Sequence, residues 1–310
     1  MRRAGFAAVI GAPNAGKSTL VNRLVGSKVT IVTQKAQTTR FPVRGVALQD
    51  QSQIVLVDTP GIFRPRRRLD RAMIRAAWSG ARDADAVVHL VDAEAELAAA
   101  GASAKAADRR AAEDVRTVTG GLGAAGRTAI LALNKIDRVR RDDLLALTER
   151  LFGSGAYAEV FMISALDGSG VADLKARLAE LMPEGPWLYP EDQAADLPAR
   201  LLAAEITREK LYLRVHEELP YAASVETTAF EDFKDGAARL EQVIYVEREG
   251  QRAIVIGKGG QTLKWIGEAA RKDLAEILGR PVHLFLTVKV KSNWSEERAT
   301  YRDLGLEFDV

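Results

Sequence analysis

The stretch GAPNAGKST at residues 11–19 decides how the first half of this chain folds. It matches the phosphate-binding loop pattern G-x-x-x-x-G-K-[ST] and lies between an apolar run at 6–10 and a helical pattern at 19–24. In a strand–loop–helix setting, the glycines let backbone N–H groups turn towards an anion, and the helix N-terminus adds its positive dipole. We therefore predict that Lys17 contacts the β- and γ-phosphates of a nucleotide and that the Ser18 hydroxyl binds Mg²⁺. The alternative is a glycine turn that binds nothing.

Length and composition limit the class of protein. A chain of 310 residues favours two domains, and 47% hydrophobic with 28% charged residues is typical of a soluble globular protein. The absence of cysteine excludes disulfides and thiolate metal sites and suits a reducing compartment. No apolar run approaches the roughly 20 residues of a membrane span. Residues 1–3 lead straight into a predicted strand, so we expect no signal peptide.

Apolar runs alternate with helical patterns as far as residue 182, which is typical of a mostly parallel sheet with helices on both faces. The runs lie at residues 6–10, 54–57, 86–91, 129–133 and 160–163. Because ligands of such sheets bind beyond the C-terminal ends of the strands, we expect the polar motifs that follow these runs to meet at one edge. We predict an α/β domain at residues 1–182.

The sequence DTPG at residues 58–61 follows the second run. Asp58 is predicted to bind Mg²⁺ through a water molecule, and the Gly61 N–H to bond the γ-phosphate. The next residue, Ile62, stands where signalling GTPases such as Ras keep a water-orienting glutamine, so we expect slow intrinsic hydrolysis. We interpret the basic segment 64–68 as a solvated switch segment, with phosphate contact as the alternative.

A polar segment at residues 34–44 contains Thr38 and Thr39. A threonine here can complete the Mg²⁺ shell and sense the γ-phosphate, as in a first switch loop, and we prefer Thr39, with Thr38 second. Asn14 offers a side-chain carbonyl beside the phosphates. Because no arginine finger is evident, we hypothesise that Asn14 helps to hold a monovalent cation such as K⁺. The alternative is an asparagine favoured by a tight loop.

Recognition of guanine is predicted by NKID at residues 134–137. The Asp137 carboxylate can accept hydrogen bonds from guanine N1–H and N2–H₂, and adenine lacks both donors in that arrangement. Asn134 is expected to tie this loop to the phosphate loop and approach the base N7, and the Lys135 stem to pack over the base.

A last motif, SAL at residues 164–166, follows the fifth run, and we expect the Ala165 N–H to donate to guanine O6. The motifs together assign catalytic roles to Lys17, Thr39, Gly61 and Asn14. They assign metal binding to Ser18, Thr39 and Asp58. The residues predicted to bind the nucleotide are Gly11, Asn14, Ala15, Gly16, Lys17, Ser18, Thr19, Asp58, Gly61, Asn134, Lys135, Asp137, Ser164, Ala165 and Leu166.

Four prolines or glycines and four acids mark residues 183–197, which we predict to be a linker of about 15 residues. Beyond it, the patterns predict a helix, two strands, a second helix and a final strand around a Gly-x-x-Gly loop. The predicted elements lie at residues 199–217, 223–230, 240–246, after the loop at 257–260, and 284–290. The apolar run at 252–256 leads into the loop, which gives the loop a strand–helix context.

KH modules grip the backbone of about four nucleotides with a Gly-x-x-Gly loop. Residues 252–291 carry eight basic and three acidic side chains, a balance of +5, which favours RNA over an ordinary glycine turn. The predicted RNA contacts are Ile256, Gly257, Lys258, Gly259, Gly260, Lys264, Lys289 and Lys291, and Lys272 and Trp294 are further candidates for the rim. We expect the apolar stripe of the following helix to pack on the sheet rather than on a membrane surface.

Taken together, the motifs resemble those of the Era family of bacterial GTPases. The matching stretches are GAPNAGKSTL at 11–20, QTTR at 37–40, DTPG at 58–61, NKID at 134–137, SAL at 164–166, VIGKGG at 255–260 and the tail at 281–292. The resemblance covers essentially the whole chain. It implies a P-loop GTPase domain followed by an α+β type II KH domain at residues 198–310.

The resemblance also implies a function. It predicts a GTP-hydrolysing monomer that binds small-subunit ribosomal RNA near its 3′ end and assists assembly of the small (30S) ribosomal subunit, with GTP or GDP and Mg²⁺ as ligands. A cytoplasmic location with weak peripheral contact at the inner membrane is implied as well. Two residues depart from the pattern, because Phe41 and Phe63 stand where many relatives keep histidine.

We predict that GTP orders the switch loops and that this order passes to the RNA module across the linker. Two other hypotheses compete with this one. The first is a GTP-gated binding protein with negligible turnover, and the second is a GTPase whose KH-like domain binds only protein.

Overall fold

The structure is a computed structural model that describes residues 1–216 and 219–310. The chain forms two compact units. The first comprises residues 1–30, 39–196 and 304–310, and the second comprises residues 31–38 and 197–303. The boundary therefore differs from the predicted one at three places. Residues 31–38, which overlap the predicted switch loop at 34–44, belong to the second unit, while the predicted linker as far as Asp196 and the last seven residues belong to the first.

A seven-stranded, mostly parallel sheet forms the centre of the first unit. Its strands are β1 (Arg3–Ile10), β2 (Val43–Gln49), β3 (Ser52–Asp58), β4 (Ala86–Asp92), β5 (Ala129–Asn134), β6 (Tyr157–Met162) and β7 (Ala195–Asp196). Their order in the sheet is β6-β5-β4-β1-β3-β2-β7. Among these strands only β2 runs in the opposite direction, and it pairs antiparallel with β3 on one side and with β7 on the other. The five predicted runs are all strands, whereas β2 was not predicted.

Helices cover both faces of this sheet. They are α1 (Lys17–Val25), α2 (Arg68–Asp83), α3 (Ala93–Ala100), α4 (Ala106–Ala124), α5 (Arg141–Phe152) and α6 (Val171–Leu181). Alternate residues of β1 serve the two faces, because Ala7 and Val9 join one apolar cluster while Ala8 and Ile10 join the other. The predicted α/β fold of the first half is confirmed, and both faces of the sheet are buried as that class requires.

The predicted linker instead packs against the first unit. The buried Gln53 side chain accepts the N–H groups of Leu188 and Tyr189 at 2.8 and 3.0 Å and donates to the Tyr189 carbonyl at 2.8 Å. Further along, β7 pairs with β2. A buried amide needs hydrogen-bond partners. The Gln53 amide finds them in the backbone of residues 188 and 189, and these bonds fix a proline-rich segment whose composition predicts a linker.

The second unit is an α+β fold with a three-stranded sheet in the order β10-β9-β8. Its elements are α7 (Ala199–Arg214), β8 (Ala223–Asp232), β9 (Ala238–Val246), α8 (Glu249–Ile256), α9 (Gln261–Leu278), β10 (Val282–Val290) and α10 (Arg298–Asp303). The sheet is mixed, with β9 antiparallel to β8 and parallel to β10. Ile266, Ala270 and Leu274 of α9 are buried, and Ile266 and Leu274 belong to the unit's apolar clusters, as expected for a stripe that packs on a sheet.

Two predictions in this unit were wrong, and a third ends outside the described residues. The run at 252–256 is the end of helix α8, so the loop lies between two helices. The helix start at Glu249 was missed because so short a segment has no clear apolar period. Trp294 is not an RNA-facing rim residue, because it is 2% exposed and its Nε1–H donates to the Ala222 carbonyl at 3.0 Å. The predicted end of α7, Glu217, lies outside the described residues, and the helix ends at Arg214.

Gly5 of β1 tests the packing of the former linker against the sheet. An added Cβ would lie 2.5 Å from Asp85 Oδ2 and 2.7 Å from Pro183 Cδ, so Gly5→Ala should lower the free energy of unfolding by about 1–3 kcal/mol. Gly120→Ala is the matched control: it lies in α4 with no atom within 4 Å of the added Cβ, and should raise stability by about 0.5–1 kcal/mol. Urea denaturation followed by circular dichroism measures both, and equal effects would contradict this packing.

Candidate functional site

The phosphate loop connects the end of β1 at Ile10 to the start of α1 at Lys17. Two glycines make its curl possible, because Gly11 and Gly16 have φ values of 152° and 100°. A Cβ at Gly11 would collide with the Leu90 carbonyl oxygen, and one at Gly16 with the Asn134 side chain. The loop therefore needs glycine for its backbone conformation and for its close approach to the neighbouring strands.

Lys17 is folded back into this loop. Its Nζ donates to the carbonyl oxygens of Gly11 and Ala12 at 3.2 and 2.8 Å, and the residue is only 6% exposed. Burial lowers the pKa of Lys17 to about 8, and the negative charges of Asp58 and Asp114 offset part of that effect. A buried ammonium that lacks a full counter-charge favours an incoming phosphate.

Asp58 is the centre of a cluster of hydroxyl groups. Its Oδ2 accepts hydrogen bonds from Ser18 Oγ at 2.7 Å, Thr30 Oγ1 at 2.8 Å and Thr39 Oγ1 at 3.2 Å. Ser18 Oγ and Thr39 Oγ1 also lie 2.9 Å apart. Burial raises the pKa of Asp58, and the hydrogen bonds and the charge of Lys17 oppose that shift. The three residues predicted to bind the metal, Ser18, Thr39 and Asp58, are thus brought together.

The second carboxylate oxygen of Asp58 supports a cation at this place. Asp58 Oδ1 is buried and has no hydrogen-bond partner within the described ranges. A buried carboxylate oxygen is costly without a partner, and hard oxygen ligands are those that Mg²⁺ prefers. The donor set of two hydroxyls and one carboxylate therefore fits Mg²⁺, with the remaining positions left for nucleotide phosphate and water.

Sequence reasoning missed Thr30 and the residue that holds it. Asn22 Oδ1 accepts the N–H groups of Val29 and Thr30 at 2.9 and 3.0 Å, and Asn22 Nδ2 donates to the Thr30 carbonyl at 2.8 Å. This clamp presents the Thr30 hydroxyl to Asp58. The only local signal is an asparagine on the first turns of α1, where helix propensity disfavours it.

The two switch threonines have different surroundings. Thr39 lies in the first unit beside Asp58, whereas Thr38 lies in the second unit and donates to the Lys35 carbonyl at 2.7 Å. The boundary between the compact units thus falls between two adjacent residues. Ile31, at the other end of the segment, is buried in an apolar cluster with Ala203 and Ile206 of α7.

Polar contacts also hold segment 31–38 within the second unit. The Val32 N–H donates to Glu209 Oε1 at 2.9 Å, and Lys35 Nζ donates to the Tyr212 and Val215 carbonyls. Arg208 donates to the Thr38 carbonyl and pairs with Glu205. The side chains of α7 therefore fix the backbone of the predicted first switch loop.

The DTPG loop rests on the phosphate loop. A Cβ at Gly61 would lie 2.9–3.0 Å from atoms of Pro13, and the Ile62 N–H donates to the Gly11 carbonyl at 3.0 Å. The Ile62 side chain is buried in an apolar cluster of the first unit. The Ile62 side chain therefore points into the core and cannot orient an attacking water. Phe41 is buried as well and Phe63 is half-buried.

Asn134 joins the predicted guanine loop to the phosphate loop, as expected. Its Nδ2 donates to the Ala15 carbonyl at 2.7 Å, and its Oδ1 accepts the Ala165 N–H at 2.9 Å. The Ala165 N–H, predicted to meet guanine O6, is thus engaged by Asn134 in this structure. Lys135 forms an ion pair with Asp92. Of the other residues predicted to contact the base, Asp137 is exposed and Ser164 is buried.

The Gly-Lys-Gly-Gly loop lies between α8 and α9. Gly259 and Gly260 have φ values of 59° and 75°, and a Cβ added at either would meet no atom within 4 Å. Their backbone is therefore open to a ligand, whereas a Cβ at Gly257 would collide with Thr262. Lys258 is exposed at the same loop.

The other predicted RNA contacts surround α9 and β10. A groove runs between these elements and is lined by Gly260, Lys264, Arg271, Phe285 and other residues. Lys264 and Lys289 are exposed and Ile256 is half-buried. Lys291 pairs with Glu297 at 2.6 Å, which raises the pKa of Lys291. Lys264 therefore lies at the groove, while Lys291 has an internal partner.

Comparisons with known proteins agree with this two-part architecture. A family described as 50S ribosome-binding GTPase matches residues 6–135, and the KH domain family matches residues 218–295. GTPase Era of Caulobacter vibrioides is 70% identical over 99% of this chain and 98% of its own length. GTPase Era of Maricaulis maris is 61% identical over 100% of this chain and 98% of its own length. This chain belongs to the GTPase Era family.

Solved Era structures agree over the whole length. A variant of Aquifex aeolicus Era bound to GDP·AlF4⁻ has a TM-score of 0.86 and 35% identity, and the match covers 98% of this chain and 99% of that one. An Era structure in complex with MgGDPNP and nucleotides 1506–1542 of 16S ribosomal RNA matches to the same extent. The family resemblance and the fold, a P-loop GTPase domain followed by a KH domain, are confirmed. Within the described ranges, no helix has both the length and the hydropathy needed to cross a membrane.

Replacing Lys17 should change stability and ligand binding in opposite directions. The pKa of about 8 for Lys17 in the folded protein lies below the 10.5 of a solvated lysine, so the unfolded chain binds more protons between those two pH values. Stability of the nucleotide-free protein should therefore rise with pH through that window. Lys17→Met should remove this rise and increase stability at pH 7 by up to about 3 kcal/mol, while GTP affinity falls by about 100-fold or more because a phosphate contact is lost.

Urea denaturation at pH 7 and pH 10, together with nucleotide titration, measures both effects of Lys17→Met. Lys105→Met is the control, because Lys105 is an exposed lysine of the same unit. A Lys17→Met variant that is less stable than the parent at pH 7, with an unchanged pH dependence of stability, would show that the buried Lys17 charge does not destabilise the folded state.

Proposed function

We propose that this chain is a GTP-hydrolysing switch protein that binds small-subunit ribosomal RNA near its 3′ end and assists assembly of the small ribosomal subunit. The observation that carries the proposal is the joining of two sites in one chain. A buried lysine and a hydroxyl–carboxylate cluster surround the phosphate loop, and an open glycine loop lies between α8 and α9. The relative bound to MgGDPNP and nucleotides 1506–1542 of 16S ribosomal RNA supports both halves.

The phosphate end of the nucleotide is assigned to Lys17, Ser18, Thr39 and Gly61. Lys17 exchanges its two carbonyl partners for the β- and γ-phosphates, and N–H groups of the phosphate loop bind the same anion. Ser18, Thr39 and Asp58 would hold Mg²⁺, which neutralises charge on the phosphates. Gly61 lies against Pro13 of the phosphate loop, and this contact supports a role for the Gly61 N–H in sensing the γ-phosphate.

The base end is assigned to Asp137, Lys135 and the loop 164–166. Asp137 discriminates guanine from adenine because a carboxylate left without its two donors loses binding energy. Asn134 positions this loop through its bonds to Ala15 and Ala165. A contact from the Ala165 N–H to guanine O6 requires that this donor be shared with Asn134.

Slow intrinsic turnover follows from Ile62. Its side chain is buried, so it neither orients nor polarises an attacking water. Asn14 is exposed at the phosphate loop with φ 62°, and we propose that its carbonyl helps to bind K⁺ beside the transferred phosphoryl group. A monovalent cation there supplies positive charge that no described side chain provides at that edge of the loop.

Segment 31–38 provides a route between nucleotide and RNA. Its last residue, Thr38, is held by Arg208 of α7, and the next residue, Thr39, contacts Asp58 and Ser18. A change in the position of Thr39 on GTP hydrolysis must therefore alter the strain on the bonds that α7 makes to the loop. We propose this loop, rather than the segment 183–197, as the path of coupling.

The proposal for location and partners follows the family. We propose that the protein acts as a monomer in the cytoplasm on 30S subunits, with a weak peripheral contact at the inner membrane as a secondary property. Vesicle flotation of the purified protein tests the membrane contact separately from RNA binding.

A charge at the glycine loop should remove RNA binding. In the full chain, Gly259→Asp should weaken binding to an RNA of 16S nucleotides 1506–1542 by about 10-fold or more, because it places a carboxylate where the phosphodiester approaches. Gly236→Asp is the matched control: it adds the same charge at an open glycine with φ 85° in the turn between β8 and β9. Equal affinities for the parent and Gly259→Asp, or no salt-dependent binding at all, would favour a domain that binds only protein.

The cation hypothesis predicts faster GTP hydrolysis in K⁺ than in Na⁺ at equal ionic strength. Asn14→Gly keeps the backbone conformation but removes the carbonyl, so it should abolish the difference, whereas Asn14→Asp retains an oxygen and should preserve it. Single-turnover hydrolysis with and without small ribosomal subunits measures the rates. Equal rates in the two salts would exclude the cation, and no turnover under any condition would favour a GTP-gated binding protein.

A further inference from the structure

A dense positive charge follows Gly61. Residues 64–75 contain six arginines and one aspartate, a balance of +5. Arg64, Arg66 and Arg67 are exposed, and none of the three forms an ion pair among the residues that the structure describes. The carboxylate of Asp70 accepts the backbone N–H groups of Arg66 and Arg67 at 2.9 and 3.0 Å, which fixes the start of α2.

Three more arginines form a stripe along α2. Arg68, Arg71 and Arg75 are spaced three and four residues apart, so their side chains lie on one face of the helix. Together with the exposed residues before the helix, they form a continuous basic surface, which we call the arginine face (Arg64, Arg66, Arg67, Arg68, Arg71 and Arg75).

The last seven residues of the chain lie on this arginine face. Segment 304–310 belongs to the first unit, although the helix before it belongs to the second. Arg75 Nε pairs with Glu307 Oε2 at 2.7 Å, Arg71 Nε donates to the backbone oxygen of Val310 at 3.4 Å, and the Arg68 guanidinium lies 4.4 Å from the centre of the Phe308 ring.

These contacts reproduce the chemistry that RNA offers to arginine. Glu307 presents a carboxylate to a guanidinium as a phosphate would, and Phe308 presents a ring face as an unstacked base would. The tail adds a second acid, Asp309. Arg75 and Glu307 are 59% and 65% exposed, so their ion pair is weak and readily exchanged for a phosphate.

We propose that the arginine face is a second RNA-backbone contact surface and that segment 304–310 is an internal competitor that occupies part of it. This inference rests on the proposed RNA-binding function. RNA is favoured over an anionic membrane because no large apolar side chain within 64–75 is exposed, so the surface has nothing to insert into lipid.

The arginine face is joined directly to the nucleotide site. Gly61 packs against Pro13, and the Ile62 N–H bonds the Gly11 carbonyl, two residues before Arg64. A movement of the DTPG loop on GTP hydrolysis therefore moves the start of the arginine face. RNA contact by this surface is thereby made dependent on the bound nucleotide.

The test uses the full chain and a labelled transcript of the 3′ domain of 16S ribosomal RNA over a series of salt concentrations. Arg71→Gln/Arg75→Gln should weaken binding by about 10-fold and lower the salt slope by roughly 1–2, as expected for the loss of about two phosphate contacts. Arg109→Gln/Arg110→Gln removes the same charge from two exposed arginines of α4 and should leave both quantities unchanged.

The tail is tested by Glu307→Gln/Asp309→Asn, which should tighten RNA binding by about 3–10-fold and steepen the salt slope. On the Arg71→Gln/Arg75→Gln background the same tail change should have no effect, because the two arginines that the tail competes for through polar contacts are already absent. GDP affinity and thermal melting of each variant confirm that it is folded.

Several outcomes would overturn the inference. If Arg71→Gln/Arg75→Gln binds RNA like the α4 control, the arginine face is not an RNA contact. If the tail variant gains RNA affinity on both backgrounds, the gain reflects only the change in net charge. An arginine pair that loses binding to vesicles of phosphatidylglycerol and phosphatidylcholine, but not to RNA, assigns the surface to lipid. If Gly259→Asp abolishes RNA binding while the arginine pair has no effect, this inference fails and the proposed function stands. If the parent protein binds no RNA, the proposed function fails first.

Discussion

The bond network of the Asp58 carboxylate is the constraint on which the nucleotide site depends. One oxygen accepts three hydroxyls that come from three separate segments: Ser18 from α1, Thr30 from the loop after it, and Thr39 from the predicted switch loop. The other oxygen is buried without a partner among the described residues. A buried carboxylate needs either a cation or several donors. The hydroxyl groups therefore gather here, and the same groups are those that a divalent cation would bind.

The parallel sheet places a second constraint beside the first. The phosphate loop follows β1 and the guanine motif follows β5, with β4 between them. Asn134 spans that gap, since one side chain donates to Ala15 and accepts from Ala165. A single buried amide thus sets the spacing between the two segments that are proposed to contact the two ends of the nucleotide. This is the form expected of an α/β sheet, in which ligands lie beyond the carboxyl ends of adjacent strands.

The two compact units exchange short segments of chain. Residues 31–38 leave the first unit and join α7, and residues 304–310 leave the second unit and join α2. Segment 31–38 ends next to Thr39, and segment 304–310 contacts α2, the helix that follows the DTPG loop in the chain. Thr39 and the DTPG loop are the parts proposed to sense the γ-phosphate. A switch of this kind needs elements with two arrangements whose energies the nucleotide can bias. The tail, with its weak and exposed contacts, and the pair Thr38 and Thr39 at the unit boundary are candidates for such two-state elements.

The sequence alone determined the parts that depend on local spacing. The phosphate loop, DTPG, NKID and the Gly-Lys-Gly-Gly loop each have a fixed pattern within a few residues, and the alternation of apolar runs with helical patterns fixed the sheet class. It did not reveal β2, and it described the end of α8 as an extended run, because a short apolar segment has no clear period.

Only the tertiary structure decided the contacts between residues that are distant in the chain. Thr30, held by Asn22, donates to the Asp58 carboxylate, Trp294 donates to the buried carbonyl of Ala222, and Gln53 binds the segment predicted to be a linker. The tail met the arginine face across more than 200 residues. None of these pairs has a spacing that the sequence could show, because each forms to satisfy a buried or charged group whose surroundings exist only once the chain has folded.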